Sequence, residues 1–155
     1  MKVFISYSTE DLSLIRQIAD QIRPHAEVFY WEESRAPGEH AWNQIYNWID
    51  QADTVVAVIT DKTVSRGISV GQEIGRAKAK QKMILPLVAS DVPVTELGCL
   101  HEVTHVRLDR NDQNAALQAI TQRVAELAAS IQAQNFWLFV LGLIVVAWVL
   151  SKGKR

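Results

Sequence analysis

Apolar runs rich in β-branched residues recur at Val3 to Tyr7, Val28 to Trp31, Thr54 to Thr60, Met83 to Val88 and Thr104 to Leu108, with helix-period segments between several of them. That alternation predicts an α/β fold with a parallel sheet. The run TVVAVIT, Thr54 to Thr60, is continuous where a half-exposed strand would alternate, so it belongs at the middle of the sheet. A first helix carries Leu12, Ile15, Ala19 and Ile22 on one face, with Thr9 or Asp11 as its cap and Pro24 as its stop. A second aligns Trp42, Ile45, Ile49 and Ala52. A further helix over 69 to 80, turning about 100° per residue, groups Val70, Ile74 and Ala77, and Glu73 falls at the edge of that stripe.

Glu73 is the first candidate for chemistry. A carboxylate facing inward or into a cleft is costly to desolvate, so it marks either a satisfied structural contact or a working acid. The structural alternative is an ion pair with Arg76 or Lys80 along the helix. Ser6 and Tyr7 end the first strand, where they either close it with local hydrogen bonds or meet a ligand. Trp31, ending the second, serves core packing or stacking on a ring. The stretch SRAPGEHA, residues 34 to 41, sets Pro37 beside Gly38 and reads as a turn or mobile loop. It and DKTVSRG leave the carboxyl ends of strands, the edge where open parallel sheets bind ligands.

Residues 112 to 134 read as a polar helix with Leu117, Ile120, Val124 and Leu127 as its apolar positions. The character then changes: FWLFVLGLIVVAWVL, 136 to 150, has no polar side chain other than tryptophan. Its fifteen residues rise roughly 22 Å, short of the ~30 Å hydrocarbon core unless flanking groups snorkel or the bilayer thins. Trp137 and Trp148 stand near its ends, and Lys152, Lys154 and Arg155 close the chain. A C-terminal single-pass anchor over 131–155 is expected, with the preceding domain, 1–130, in the cytosol. Spanning carries the KGKR tail across against the usual preference of positive charge for the inside, so a helix lying in the interface is the competing placement.

The net charge of −1 supplies no field for nucleic acid, which is excluded as a partner. Cys99 is the only cysteine, so no internal disulfide forms and a reducing compartment suits the chain. MKVFISYS leads directly into a strand and has no signal-peptide pattern. His101 and His105 beside Cys99 lack a further ligand nearby in sequence, and no metal site is assigned. Arg76, Lys78, Lys80 and Lys82 form a basic run, read as a solvated face or as a contact for anionic lipid or a second protomer.

The strand VFISYS with Asp11 soon after, the loop APG, and VGQEIGRAKAKQKMILPLV together resemble a bacterial TIR domain over residues 1 to about 130. The resemblance implies a flavodoxin-like five-stranded parallel sheet with helices on both faces. It also implies NAD as substrate, cleaved to nicotinamide and ADP-ribose or a cyclic product in defence or signalling, with no further cofactor and with self-association through TIR domains. The family's glutamate, within a pattern like WVxxEI, falls on Glu73, while Ser69 stands where that pattern has its aromatic. Ser6, Tyr7, Trp31, Pro37, Gly38 and Ser69 are the substrate-binding candidates that accompany it. Two other functions stay open: a TIR scaffold without turnover, and an N-glycosidase similar to nucleoside deoxyribosyltransferases, which the EIGRA stretch also resembles.

Overall fold

A computed structural model describes residues 1–32, 41–65, 68–109 and 111–152. Five strands, β1 (Lys2–Ser6), β2 (Glu27–Phe29), β3 (Thr54–Ile59), β4 (Met83–Ala89) and β5 (Val106–Leu108), form one parallel sheet of order β2-β1-β3-β4-β5. Val3 pairs with both Val28 and Thr54, Val55 with Ile84, and Leu87 with Val106. All six residues of β3 are buried, as its continuous apolar run predicts.

The two-residue period of the strands sorts their side chains between two cores. Val3, Ile5, Val56, Val58 and Leu87 pack on one face under α1 (Leu12–Ile22) and the start of α5 (Gln113–Lys152). Phe4, Val55, Ala57 and Val88 pack on the other, under α2 (Ala41–Gln51) and α4 (Ile68–Ala79). A short helix, α3 (Asp61–Ser65), follows β3 within the DKTVSRG stretch and precedes α4. The helices therefore cover both faces, and Ser6, in phase with Phe4, points to the α4 side.

Three expectations need correction. Asp11 occupies the cap position of α1 but makes no capping bond, because its carboxylate is engaged by the end of β3. The second strand ends at Phe29 rather than at Trp31. The fifth begins at Val106 rather than at Thr104, and Pro86 supplies a reason. The Ser90 amide donates to Leu108, so by alternation residues 88 and 86 of β4 also face β5. Pro86 has no N–H to donate to that neighbour, and the ladder stops.

α5 is one unbroken helix of 40 residues that runs antiparallel to the strands. Gln113 shares a cavity with Ala89 and Leu108 at their carboxyl ends, whereas Ile120 and Arg123 lie against Met83 to Pro86 at the start of β4. Thr121 reaches Gln21 near the end of α1, with the side-chain oxygens 3.4 Å apart. Burial of Ala116, Leu117, Ile120, Val124 and Ala128 docks this half, and Ala128 is the last buried residue among those described. Beyond it, Phe136 to Val149 leave the domain with large apolar side chains exposed on every side, Trp137 at 63% and Trp148 at 57%. By length and composition this helix is able to cross a membrane.

Candidate functional site

A cleft of about 280 Å³ opens where the β1 and β3 connections diverge to opposite faces, the switch point at which parallel sheets of this order bind ligands. Tyr7, Ser8 and Thr9 line it from the β1–α1 connection, Trp31 from beyond β2, Ala41, Trp42 and Ile45 from α2, and Ser69, Val70 and Glu73 from α4.

Glu73 is the one carboxylate among the described lining residues. It is 7% exposed, and the Ser6 hydroxyl, itself fully buried, donates to its Oε2 at 2.5 Å. Burial pushes its carboxyl up to about 7, against the lowering effect of the Ser6 bond. The ion-pair alternative is overturned, because Arg76 grips Asp50 through two nitrogens at 2.9 and 2.6 Å and Lys80 approaches the same carboxylate. Glu73 is thus held by a neutral partner, near the midpoint of its titration, at the wall of a cavity.

Ser6 does not line the cleft; it lies behind Glu73 and orients it. The Tyr7 hydroxyl donates to the Trp31 carbonyl, tying the β1–α1 connection to the chain that leaves β2. Burial, reinforced by the charge of Glu32, raises the Tyr7 phenol well above its usual range, so it stays a proton donor in that bond. Trp31 packs its ring near Trp48, centroids 6.3 Å apart, while lining the cleft, so core and cleft share it. Ser69 borders the cavity opposite α2 and leaves room there. Pro37 and Gly38 lie outside the described residues.

Trp42 is the residue that sequence reasoning misplaced. Helical phase assigns it to the buried face of α2, yet it is 38% exposed at the cleft, with its ring 5.6 Å from Tyr46. It stands one turn ahead of Ile45 and Tyr46, at the start of the helix, where the stripe has run past the sheet. A large aromatic at the first turn after a loop was the signal available. It supplies an aromatic surface at a cleft where position 69 has none.

No group of three or more potential metal ligands occurs among the described residues. His105 instead places Nδ1 3.3 Å from the Val103 carbonyl, and His101 is exposed.

This topology, with a desolvated carboxylate at the switch point, defines a flavodoxin-like α/β domain with a cleft at the carboxyl ends of its strands. The chain belongs to the TIR domain family, whose model matches residues 3–125. A search of curated proteins gave no match. Among solved structures, the TIR domains of the activated Roq1 resistosome recognising the pathogen effector XopQ superpose with a TM-score of 0.65 at 14% identity, covering 79% of this chain and 98% of theirs. A metazoan TIR-STING receptor from C. gigas, in complex with 2′,3′-cGAMP, gives 0.65 at 23% identity, covering 79% of this chain and 39% of the receptor. The CMP N-glycosidase BcmB of Clostridium botulinum gives 0.57 at 19% identity, covering 79% and 99%. These likenesses are of fold.

Proposed function

We propose that the protein is a TIR-domain NAD nucleosidase, tethered to a membrane by the apolar half of α5 with its TIR domain in the cytosol, and acting in defence or signalling. The observation that carries the reading is Glu73: one buried carboxylate, held by a hydroxyl rather than a cation, in a cleft bordered by Trp31 and Trp42.

The nicotinamide of NAD is a cationic leaving group. As its bond to ribose C1′ breaks, the electron pair returns to the ring nitrogen, nicotinamide departs neutral, and positive charge develops on the ribose. No general acid is needed, only a carboxylate that stabilises the oxocarbenium-like centre and orients the sugar. A carboxyl near 7 in the free cleft is driven to ionise by the substrate's own charge. Water then adds to C1′ and gives its proton to the Glu73 carboxylate, completing hydrolysis, or a nucleophilic atom elsewhere in the same ADP-ribosyl cation adds to C1′ in place of water and closes a ring. Trp42 and Trp31 offer faces for the nicotinamide or adenine, in place of the aromatic absent at Ser69.

The likeness to a CMP N-glycosidase favours a second reading, with a pyrimidine nucleotide as substrate. Cytosine is a poor leaving group unless protonated, a route that calls for a separate acid and nucleophile, and among the described residues the cleft has one carboxylate. NAD is therefore the better match.

The test is nicotinamide release by the full chain reconstituted at high density in liposomes, with Glu73→Gln as control and CMP offered in parallel. Release abolished by the substitution supports the reading. Cytosine release instead supports the second, and silence on both with self-association intact marks a scaffold. Turnover in dilute detergent should be weaker than on crowded liposomes, because confinement raises the effective concentration of protomers; equal rates would remove assembly from the mechanism.

A further inference from the structure

The basic run on α4 lies at the end of the domain from which the apolar helix departs. Met83, which opens β4, shares a cavity with Ile120 and Arg123 of α5, and the α4–β4 turn carrying Lys80 and Lys82 lies just beyond Met83 at that edge. The cleft, at the carboxyl ends of the strands, is at the opposite edge. From Ala128, the last buried position among the described residues, to Phe136, where the apolar segment starts, α5 rises about 12 Å.

The turn is built to hold its cations in place. Lys82 donates its amide to Ala77 and Gln81 to Lys78, the paired bonds of a Schellman ending, with Gln81 at a left-handed φ of 54°. Lys78 donates through Nζ to the Cys99 carbonyl at 2.7 Å and Lys82 to the Asp50 carbonyl at 2.8 Å, which orients both ammonium groups without cancelling their charge. The Asp50 carboxylate pairs with Arg76 and Lys80 and feels the charge of Lys82, whereas Lys78 turns to the Cys99 carbonyl. Other acids of this edge are Glu102, which lines the cavity with Met83 and Arg123, Glu126, which pairs with Arg123, and, toward β1 and β2, Glu27 and Asp53, the latter accepting the Lys2 backbone amide. Met83, 44% exposed, adds an apolar side chain beside the turn.

From these placements we propose that the α4–β4 edge, Arg76 to Met83, is a docking surface for the anionic phospholipid headgroups of the membrane that holds α5, and that it orients the cleft away from the bilayer. The inference rests on α5 being an anchor and is independent of the reaction at Glu73. Distance and charge carry it. A headgroup layer of roughly 6 Å lies outside the hydrocarbon, so a stalk of about 12 Å leaves the docked end of α5 at Ala128 within one Debye length, about 8 Å, of the lipid charges, with the Met83 edge about five helical residues further back. A modest tilt of α5 closes the remainder.

The exposed Cys99, against whose carbonyl Lys78 sits, provides the probe position. The full chain, labelled there with a fluorophore, is reconstituted into vesicles of phosphatidylcholine alone or with phosphatidylserine, each carrying a headgroup quencher. Quenching should be greater with phosphatidylserine and should fall to the neutral-lipid level at high salt. Lys78→Gln with Lys80→Gln should shrink the docked population by roughly ten-fold or more. Equal quenching in the two lipids, or a lipid difference that survives both salt and the substitutions, overturns the surface while leaving the anchor. Quenching that follows protein density rather than lipid charge assigns the edge to a second protomer and overturns it as well. Failure of the chain to float with vesicles overturns anchor and surface together, and leaves NAD cleavage to its own assay.

Discussion

Two buried carboxylates lie near the carboxyl ends of the strands in separate cavities, and their partners separate structure from chemistry. Asp11, 7% exposed, accepts the Thr60 hydroxyl at 2.6 Å and the Lys62 ammonium at 3.0 Å, so the β1–α1 connection is pinned to the end of β3 by a full charge. The bond and charge of Asp11 raise the Lys62 ammonium in turn. Glu73, equally buried, has a hydroxyl from Ser6, and burial drives it up to about 7. A carboxylate matched by a cation has its desolvation offset locally. One matched by a hydroxyl keeps most of that cost in the folded state, which makes it a base ready for an incoming cation.

The largest expected effect breaks the pair at Glu73. Glu73→Gln should lower nicotinamide release by about a thousand-fold or more, since charge stabilisation at C1′ is the main term a single-carboxylate mechanism can supply; nicotinamide assay of the reconstituted variant measures it. Asp11→Ala should instead cost about 2 kcal/mol of stability, from lost hydrogen bonds to a charged group, and reach activity only through the connection carrying Ser8 and Thr9. Denaturant unfolding of the full chain in detergent measures this, and a stability unchanged by the substitution would remove the structural assignment.

The same Glu73→Gln variant should gain stability where the wild type loses it. The folded carboxyl titrates near 7 and the unfolded one near 4.5, so between those values the folded state binds more protons and stability falls as pH rises. The loss is complete above about pH 8 and amounts to about 3 kcal/mol for a gap of this size. Glutamine, which does not ionise, should therefore be more stable than the wild type in alkaline buffer and close to it in acid. Unfolding compared at the two ends of that range decides the point.

The smallest effect sharpens the contrast. Ser6→Ala removes the bond that lowers Glu73, so the midpoint of the kcat/KM profile, expected near 7 in the wild type, should move up by about one pH unit. A midpoint that stays fixed would detach that titration from Glu73.

Much of this was legible in advance for local reasons. Strand and helix periods are properties of neighbouring residues, so the central strand, the helix carrying Glu73 and the exposed apolar helix follow from spacing alone. The start of the fifth strand did not, because Pro86 and Thr104 meet only across strands. The cap expected of Asp11 failed because Thr60 and Lys62, 49 and 51 residues away, compete for the same oxygens. Trp42 was misplaced because helical phase says which side faces inward, not where the sheet beneath it ends.

The sequence by itself determined the alternation that makes a parallel sheet, the carboxylate's place on its helix and a C-terminal segment that no small core could cover. Only the tertiary structure decided which oxygen meets which donor. Ser6 and Glu73 are 67 residues apart, and whether a buried carboxylate is matched by an ammonium or by a hydroxyl depends on that crossing of β1 and α4. The direction of α5 was decided the same way: packing against α1 and the sheet sends its apolar half out of the edge opposite the cleft. Desolvation acts through distances of a few ångströms, and those are set by packing between segments remote in the chain.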